Sequence, residues 1–349
     1  MRKVALGAAA IALMAAPGLA HADTNAVVGI DYNRASLPFG DVDIYGLNGA
    51  FNHDFSGGWN FQMDGYAGRV SEGFCCLTTN YVAAHLGVRN EGYSAAGFVA
   101  LQSFSSLSGI NVGVEGQMFF SQAMLEGSLS YTDWGDFDLS ATNAQIDGSW
   151  FFTPDFSVNA VVAYTSADEG GSNGNFTSYG LSGEYRFANS PTSVSLGWRR
   201  LDGEGENADT WSVGVTFDLG TGTLQDRTTN GPSWNGARSV YENWDRTIGL
   251  VPLVSDRRLK RDITLLATLA NGMKIYSFRY NWSETVYVGL MAQDLLLNSA
   301  WRHAVVRRAD GYFAVNYGAL GLAMTTLDVW KCSGLAAVLH QADDARLAA

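Results

Sequence analysis

Trp211-Ser212-Val213-Gly214-Val215-Thr216-Phe217-Asp218-Leu219 is the stretch that decides the fold. Trp211, Val213, Val215, Phe217 and Leu219 alternate with Ser212, Gly214, Thr216 and Asp218. Successive side chains of a strand point to opposite sides, so the segment has one apolar and one polar face. Upstream, Tyr179, Leu181, Gly183, Tyr185 and Phe187 oppose Ser178, Gly180, Ser182, Glu184 and Arg186. Trp59, Phe61, Met63, Gly65 and Ala67 oppose Asn60, Gln62, Asp64 and Tyr66, and the runs Ile110 to Met118 and Ala123 to Tyr131 alternate likewise.

About twelve such segments, each about ten residues long, lie between residues 24 and 219, the length of a tilted membrane strand. Turn signals separate them: Ser56-Gly57-Gly58, Asn90-Glu91-Gly92, Gly170 to Gly174, and Asp202-Gly203-Glu204-Gly205. Aromatics recur near segment ends, where interfacial girdles require them. An even strand number permits a closed barrel with no unpaired edge in lipid. Alternation alone also fits an exported β-sandwich or solenoid; the glycine content, the polar second face and the acidic loops favour the barrel. Residues 23–220 are thus expected to form an antiparallel membrane-type barrel of about twelve strands, and the pattern resembles porin-like or surface-antigen barrels. Asp64, Glu115, Glu126 and Glu184 fall on the inward face and would give an open pore a preference for small cations.

The start of the chain indicates the compartment. Arg2 and Lys3 precede an apolar run from Val4 to Ala20, and Ala20-His21-Ala22 fits a small-x-small cleavage site. Residues 1–22 read as a secretory signal peptide cut before Asp23. A membrane anchor is the alternative, but the run is short and broken by Pro17 and Gly18. Charge then divides the chain. Residues 23–220 carry 6 Arg, no Lys and 23 acids, whereas residues 221–349 carry 14 basic and 11 acidic residues. A boundary near residue 220 follows. The acidic first part argues against nucleic acid as a partner, and the tail is only mildly basic.

Three cysteines, Cys75, Cys76 and Cys332, make no disulfide framework, and adjacent Cys75-Cys76 reads as a small apolar loop pair. The five histidines are scattered without metal-ligand spacing, and no phosphate loop or metal cluster stands out, so no cofactor is expected.

Alternation stops at 221–254, where Thr221-Gly222, Asn230-Gly231-Pro232-Ser233 and Trp234-Asn235-Gly236 read as linker or irregular structure. Pro252 biases Val251 towards an extended conformation before Ser255.

Four motifs then follow in order. They are Ser255-Asp256-Arg257-Arg258-Leu259-Lys260-Arg261-Asp262-Ile263; Tyr276-Ser277-Phe278-Arg279-Tyr280; Gly289-Leu290-Met291-Ala292-Gln293-Asp294; and Gly311-Tyr312-Phe313-Ala314-Val315-Asn316-Tyr317 to Leu320. Together they resemble the intramolecular-chaperone domain of phage tailspikes and endosialidases, with Asp294 in place of the usual Glu. The resemblance implies a small α+β chaperone domain over 255–320 followed by a short helical tail, 321–349. It implies homotrimerisation and self-cleavage of the Val254–Ser255 bond, with Ser255 as nucleophile and Lys260 as base, and Gly289 and Gln293 as structural support.

That chemistry is sound from below. A serine hydroxyl needs a base, and a lysine serves as one only when its pKa falls towards neutrality. Burial and nearby positive charge both depress it, and Arg257, Arg258 and Arg261 are candidates for the second effect. A five-residue spacing puts no two side chains on one face of a helix, so a turn must bring Ser255 and Lys260 together. Read without the other motifs, Ser255-Asp256 is a helix N-cap and the basic run a solvated face.

Two features depart from the family: the tail after Leu320 is short and interrupted by Gly334, and the upstream neighbour is a barrel rather than a β-fibre. The leading expectation is an exported barrel in the outer membrane, in contact with its lipid. Its chaperone would stay at the periplasmic side, where both ends of an even-stranded barrel lie, and cut itself away. The alternatives are a non-enzymatic surface protein with an inert assembly module and a phage-derived fibre or adhesin.

Overall fold

The computed structural model describes residues 24–37, 40–71, 78–104, 107–134, 139–169, 172–203, 206–220, 222–247, 253–281, 284–307 and 311–339. The leader, Cys75-Cys76, and residues 340–349 of the expected tail lie outside them.

Twelve antiparallel strands close into a barrel. They are β1 Thr24–Leu37, β2 Gly40–Asp54, β3 Trp59–Ser71, β4 Thr78–Arg89, β5 Tyr93–Phe104, β6 Leu107–Phe119, β7 Ala123–Trp134, β8 Leu139–Thr153, β9 Phe156–Glu169, β10 Ser172–Arg186, β11 Thr192–Gly203 and β12 Glu206–Leu219. Each pairs with its neighbour in sequence, and β12 returns to β1 in a register running from Ala26↔Leu219 to Ser36↔Asp209. The alternation read from the sequence is the alternation of the wall. On β7, Leu125, Leu129 and Tyr131 face outward, whereas Met124, Glu126, Ser130, Thr132 and Trp134 are buried inside. Outward apolar side chains continue round the wall through Leu86, Val114, Ile146, Leu181, Leu196 and Val213. Such a belt is far larger than a soluble monomer exposes, and it is what lipid requires. The barrel is of outer-membrane type, as the alternation predicts.

The segment read as a linker is instead the filling of the lumen. It forms helix α1, Leu224–Asn230, and helix α2, Gly236–Thr247. Helix α1 is capped by Thr223, whose hydroxyl accepts from the Asp226 N–H at 3.0 Å. It sits at the end of the barrel that holds Thr24 and Leu219. There Gln225 donates from its backbone to Pro154 O and from its side chain to Ser121 O, and Arg227 pairs with Glu184 and Asp218. Helix α2 starts where the N–H groups of Asn235 and Gly236 donate to the carboxylates of Glu126 and Glu115, at 3.3 and 2.8 Å. The first N–H groups of a helix have no partner within it, so these two acids cap α2 from the wall. The four acids that would have given an open pore a cation preference do face inward, but Glu115, Glu126 and Glu184 hold the chain's own inner segment, and Asp64 pairs with buried His85.

Between the helices, Trp234 is almost fully buried. Its indole N–H donates to Ser94 Oγ at 2.9 Å, and its backbone both donates to and accepts from the Gln62 amide. Helix α2 then runs to the opposite end. Ser239 accepts from Gln145, Tyr241 packs on Tyr66 and Tyr81 and bonds to Thr79, and Glu242 accepts from Arg199. Val240 joins a cluster with Trp134, Leu139 and Leu201, at the rim farthest from Thr24 and Leu219. This corrects the expectation that the extension stays at the end where the strands begin and finish; it passes through the lumen.

The C-terminal unit has two small sheets. One orders β13 Leu253–Val254, β18 Phe313–Val315 and β17 Val305–Arg307. The other orders β14 Lys260–Thr268, β15 Lys274–Tyr280, β16 Tyr287–Gly289 and β19 Thr325–Thr326. Helices α3 Ala292–Leu296 and α4 Leu327–Ser333 complete it. Ile275, Val288, Leu290, Leu295, Val315 and Leu322 form its core. The described part of the expected helical tail, residues 321–339, carries α4 and a 3-10 turn, Gly334–Ala337, and packs into that core: Leu322, Val338 and Leu339 are buried there, and Ala323 donates to Val338 O.

Candidate active site

Strand β13 delivers Ser255 in extended backbone, pairing Leu253↔Val315 and Val254↔Ala314. The Ser255 N–H donates to Phe313 O at 3.0 Å, and its C=O accepts from Ala292 N at 2.9 Å. Both neighbours fix the residue, and no part of it is exposed.

Asp256 turns the chain. Its Oδ1 accepts from the Arg258 N–H at 2.9 Å and caps a single 3-10 turn, Arg257–Leu259. After that turn β14 opens at Lys260, and the Lys260 Nζ lies 3.4 Å from the Ser255 Oγ. The turn supplies what helical spacing could not. Asp256 is held by Arg258 through two further contacts of 3.0 and 2.8 Å, by the Gln293 amide at 2.8 Å, and by the Phe313 N–H at 3.2 Å. Burial works against its charge, but the bonds from Arg258 and Gln293 prevail and hold the carboxyl at about 2.

Lys260 is buried among rings. Its Nζ is 3.6 Å from the Phe278 ring centroid and donates to Leu290 O at 2.7 Å. Burial pulls its pKa well below the ordinary lysine value; the Asp256 charge opposes this and Arg257 adds to it. The arginine cluster therefore acts differently from the sequence expectation. Arg258 is committed to Asp256, Arg261 to Glu284 and Asp262, and loss of solvent is the main cause of the shift.

Gln293 joins the turn to α3, accepting from the Arg257 N–H at 2.9 Å while donating to Asp256. Asp294, the departure from the family's Glu, accepts from Tyr276 OH at 2.5 Å and from Arg257 at 3.0 Å. Gly289 lies against the Tyr317 hydroxyl, which leaves no room there for a Cβ.

Tyr317 is the residue that sequence reasoning missed. Its hydroxyl accepts from the Leu290 N–H at 2.8 Å and shares a hydrogen bond with Ser255 Oγ at 3.1 Å. Burial pushes its pKa up to about 12, against the lowering effect of Ser255 and Leu290, so it is a neutral phenol. Its signal lay in the closing motif, Val315-Asn316-Tyr317, but no spacing links it to Ser255. Among the described residues no cluster of His, Cys, Asp and Glu could hold a metal ion.

A family model matches the start of the C-terminal unit. Residues 255–296 match the family described as Peptidase_S74, chaperone of endosialidase. Among solved structures, a KdgM porin in complex with disordered oligogalacturonate is 12% identical, covering 55% of this chain and 99% of its own, with a TM-score of 0.39. The β domain of the Bordetella autotransporter BrkA is 10% identical, covering 56% and 100%, with a TM-score of 0.39. An anion-selective porin from Comamonas acidovorans is 10% identical, covering 56% and 99%, with a TM-score of 0.34. No curated protein matches the chain. The chain carries a chaperone-of-endosialidase domain at residues 255–296, behind a closed twelve-stranded, outer-membrane-type barrel.

Proposed function

We propose that the barrel is made as a precursor whose C-terminal chaperone unit assembles as a homotrimer and then cuts the Val254–Ser255 bond once, as an intramolecular serine endopeptidase. The observation that carries the reading is the buried Lys260 Nζ at 3.4 Å from the buried Ser255 Oγ. A lysine depressed well below its ordinary value by burial gives up its proton more readily and can then take one from a hydroxyl.

The steps balance with water as the sole co-reactant. The lone pair of neutral Lys260 takes the Ser255 hydroxyl proton as Oγ bonds to the Val254 carbonyl carbon. The carbon–nitrogen bond breaks, and the Ser255 nitrogen receives the proton from Lys260. Val254 is now an ester of Ser255 Oγ. Water hydrolyses that ester, leaving a Val254 carboxylate and a Ser255 hydroxyl with a free α-amine. Attack within one chain needs no substrate-binding step. Tyr317 fixes the Oγ rotamer through its 3.1 Å bond. Trimerisation is supported by apolar side chains that one copy leaves uncovered, Leu265, Leu297 and Val306, with Leu297 86% exposed.

Intact mass spectrometry of the parent beside Ser255→Ala and Lys260→Ala tests this. A fragment beginning at Ser255 from the parent, with both variants whole, is the expected result. Three whole chains in an assembled sample make the unit an inert assembly module.

A further inference from the structure

The lumen segment has a role beyond closing the pore. We infer that the barrel's cargo is its own C-terminal unit: the chain passes through the lumen, the unit folds on the outer surface of the membrane, and the 222–247 segment stays behind as a plug. That the segment stays behind rests on the cut proposed before Ser255; the topology does not.

The direction of the thread is set by contacts. Helix α1 meets the turns at Ser121 and Pro154, beside Asn25, whose side chain donates to Asn230 O. Trp234 meets Gln62 and Ser94, one level further in. Ser239, Tyr241 and Glu242 meet Gln145, Thr79 and Arg199, towards the other rim. A segment left dangling outside the barrel would make none of these bonds.

The two rims differ, and the difference orients the barrel. At the entry end, Trp59, Tyr93 and Phe156 are the first residues of their strands and face outward, so the aromatic girdle sits directly at the turns. At the exit end the strands run on past the apolar belt. Their outward positions there are charged: Asp133 is exposed, Arg34 pairs with Asp43, and Arg200 pairs with Asp202 and Asp209. Ion pairs of this kind belong in water rather than in hydrocarbon. Barrels of this class keep their projecting ends outside the cell and their tight turns in the periplasm. The exit end is therefore the outer one.

The lumen also sets the order of events. Helix α2 touches β4 to β7 on one side and β11 on the other. A cavity beside the helices, about 290 Å³, is lined by Asp31, Asn48, Asp64, Glu184, Arg227 and Arg238. No folded unit with its own buried core passes a lumen that one helix bridges from β6 to β11, so residues 253–339 cross unfolded. Ser255, Lys260 and Tyr317 come together only in the folded unit. The cut thus follows export, and it falls seven residues beyond the end of α2 at Thr247, outside the plug.

A test of the topology uses the thiols. Cys332 is exposed on the C-terminal unit. In Ser255→Ala cells that also carry Cys75→Ser and Cys76→Ser, Cys332 is the remaining thiol. A membrane-impermeant maleimide should label it on intact cells to within about two-fold of the level after the outer membrane is permeabilised. An antibody to an epitope added after Ala349 should bind the same intact cells. If maleimide and antibody reach the unit only after permeabilisation, with a rise of ten-fold or more, the inference is overturned. Because Ser255→Ala removes the nucleophile, surface labelling here together with an uncut parent would discard the proteolytic reading and leave the topology standing.

Discussion

The hydroxyl of Tyr317 occupies the space that a side chain on residue 289 would need, and Gly289 is what lets it reach Ser255. An added methyl group must displace either β16 or the phenol, and the phenol is the group bonded to both Leu290 N and Ser255 Oγ.

Gly289→Ala should therefore slow the cut by moving Tyr317, with the unit still folded but destabilised by about 1–3 kcal/mol from overpacking. Tyr317→Phe keeps the ring and loses the bond; one hydrogen bond of about 1.4 kcal/mol corresponds to a roughly ten-fold slower cut. Time courses of fragment release, read beside thermal unfolding, check both. A Tyr317→Phe variant that cuts at the parent rate would remove Tyr317 from the mechanism.

Lys260 separates proton transfer from folding. Lys260→Met fills the same apolar space against Phe278 but leaves Leu290 O without its donor, so it should cost about 1–3 kcal/mol of unfolding free energy while abolishing the cut. Lys260→Arg keeps a charge that does not ionise away, and a buried unpaired charge should cost about 3 kcal/mol or more. Denaturant melts of these variants should thus diverge although neither cuts. Equal stability of the two would mean that the site is wetter than its geometry implies.

The pH dependence has a definite sign. The groups facing Lys260 are Ser255, Asp256, Arg257 and the rings of Phe278 and Tyr280, and burial outweighs the Asp256 charge. The cut should accelerate with rising pH, about ten-fold per pH unit as one proton is lost, and level off well below the ordinary lysine value of about 10.4. The unfolded chain binds more protons than the folded unit between those two values, so stability of the unit rises with pH across the same window. Asp256, held at about 2, contributes stability that is complete above the ordinary carboxylate value of about 3.9 and is lost as pH falls through about 2. A cut that still accelerates at pH 10 would show a lysine with no depression.

The barrel was legible because its period is two and one face must meet lipid; Trp211 to Leu219 carries that rule within nine residues. The approach of Lys260 to Ser255 was legible only through motif resemblance, since the 3-10 turn that joins them leaves no periodic trace. Two things were hidden for a shared reason. Tyr317 meets Ser255 across 62 residues, and Gly236 meets Glu115 across 121. Local pattern reports neither. The segment around Trp234 looked irregular because Pro232, Asn235 and Gly236 break both periods, yet the same residues deliver an indole and two N–H groups to a polar wall. The acids read as a pore lining were correctly placed inward, but their partners lay further along the same chain.

Trp234 is the residue on which closure of the lumen turns. Its ring lies 5.1 Å beneath the Arg89 guanidinium and stacks on His85 at 6.2 Å, and the indole N–H is bonded to Ser94. Trp234→Ala removes that packing, a loss of about 3–5 kcal/mol for a buried tryptophan, and should loosen the plug without touching the wall. Trp234→Phe keeps most of the apolar contact and loses one hydrogen bond, so it should stay closed. Conductance in planar bilayers reads the difference: parent and Trp234→Phe low, Trp234→Ala several-fold higher. The opened variant should then favour small cations, because Glu115 and Glu126 are released from the N–H groups of Gly236 and Asn235 and face the solution. A high conductance in the parent itself would place the 222–247 segment outside the lumen.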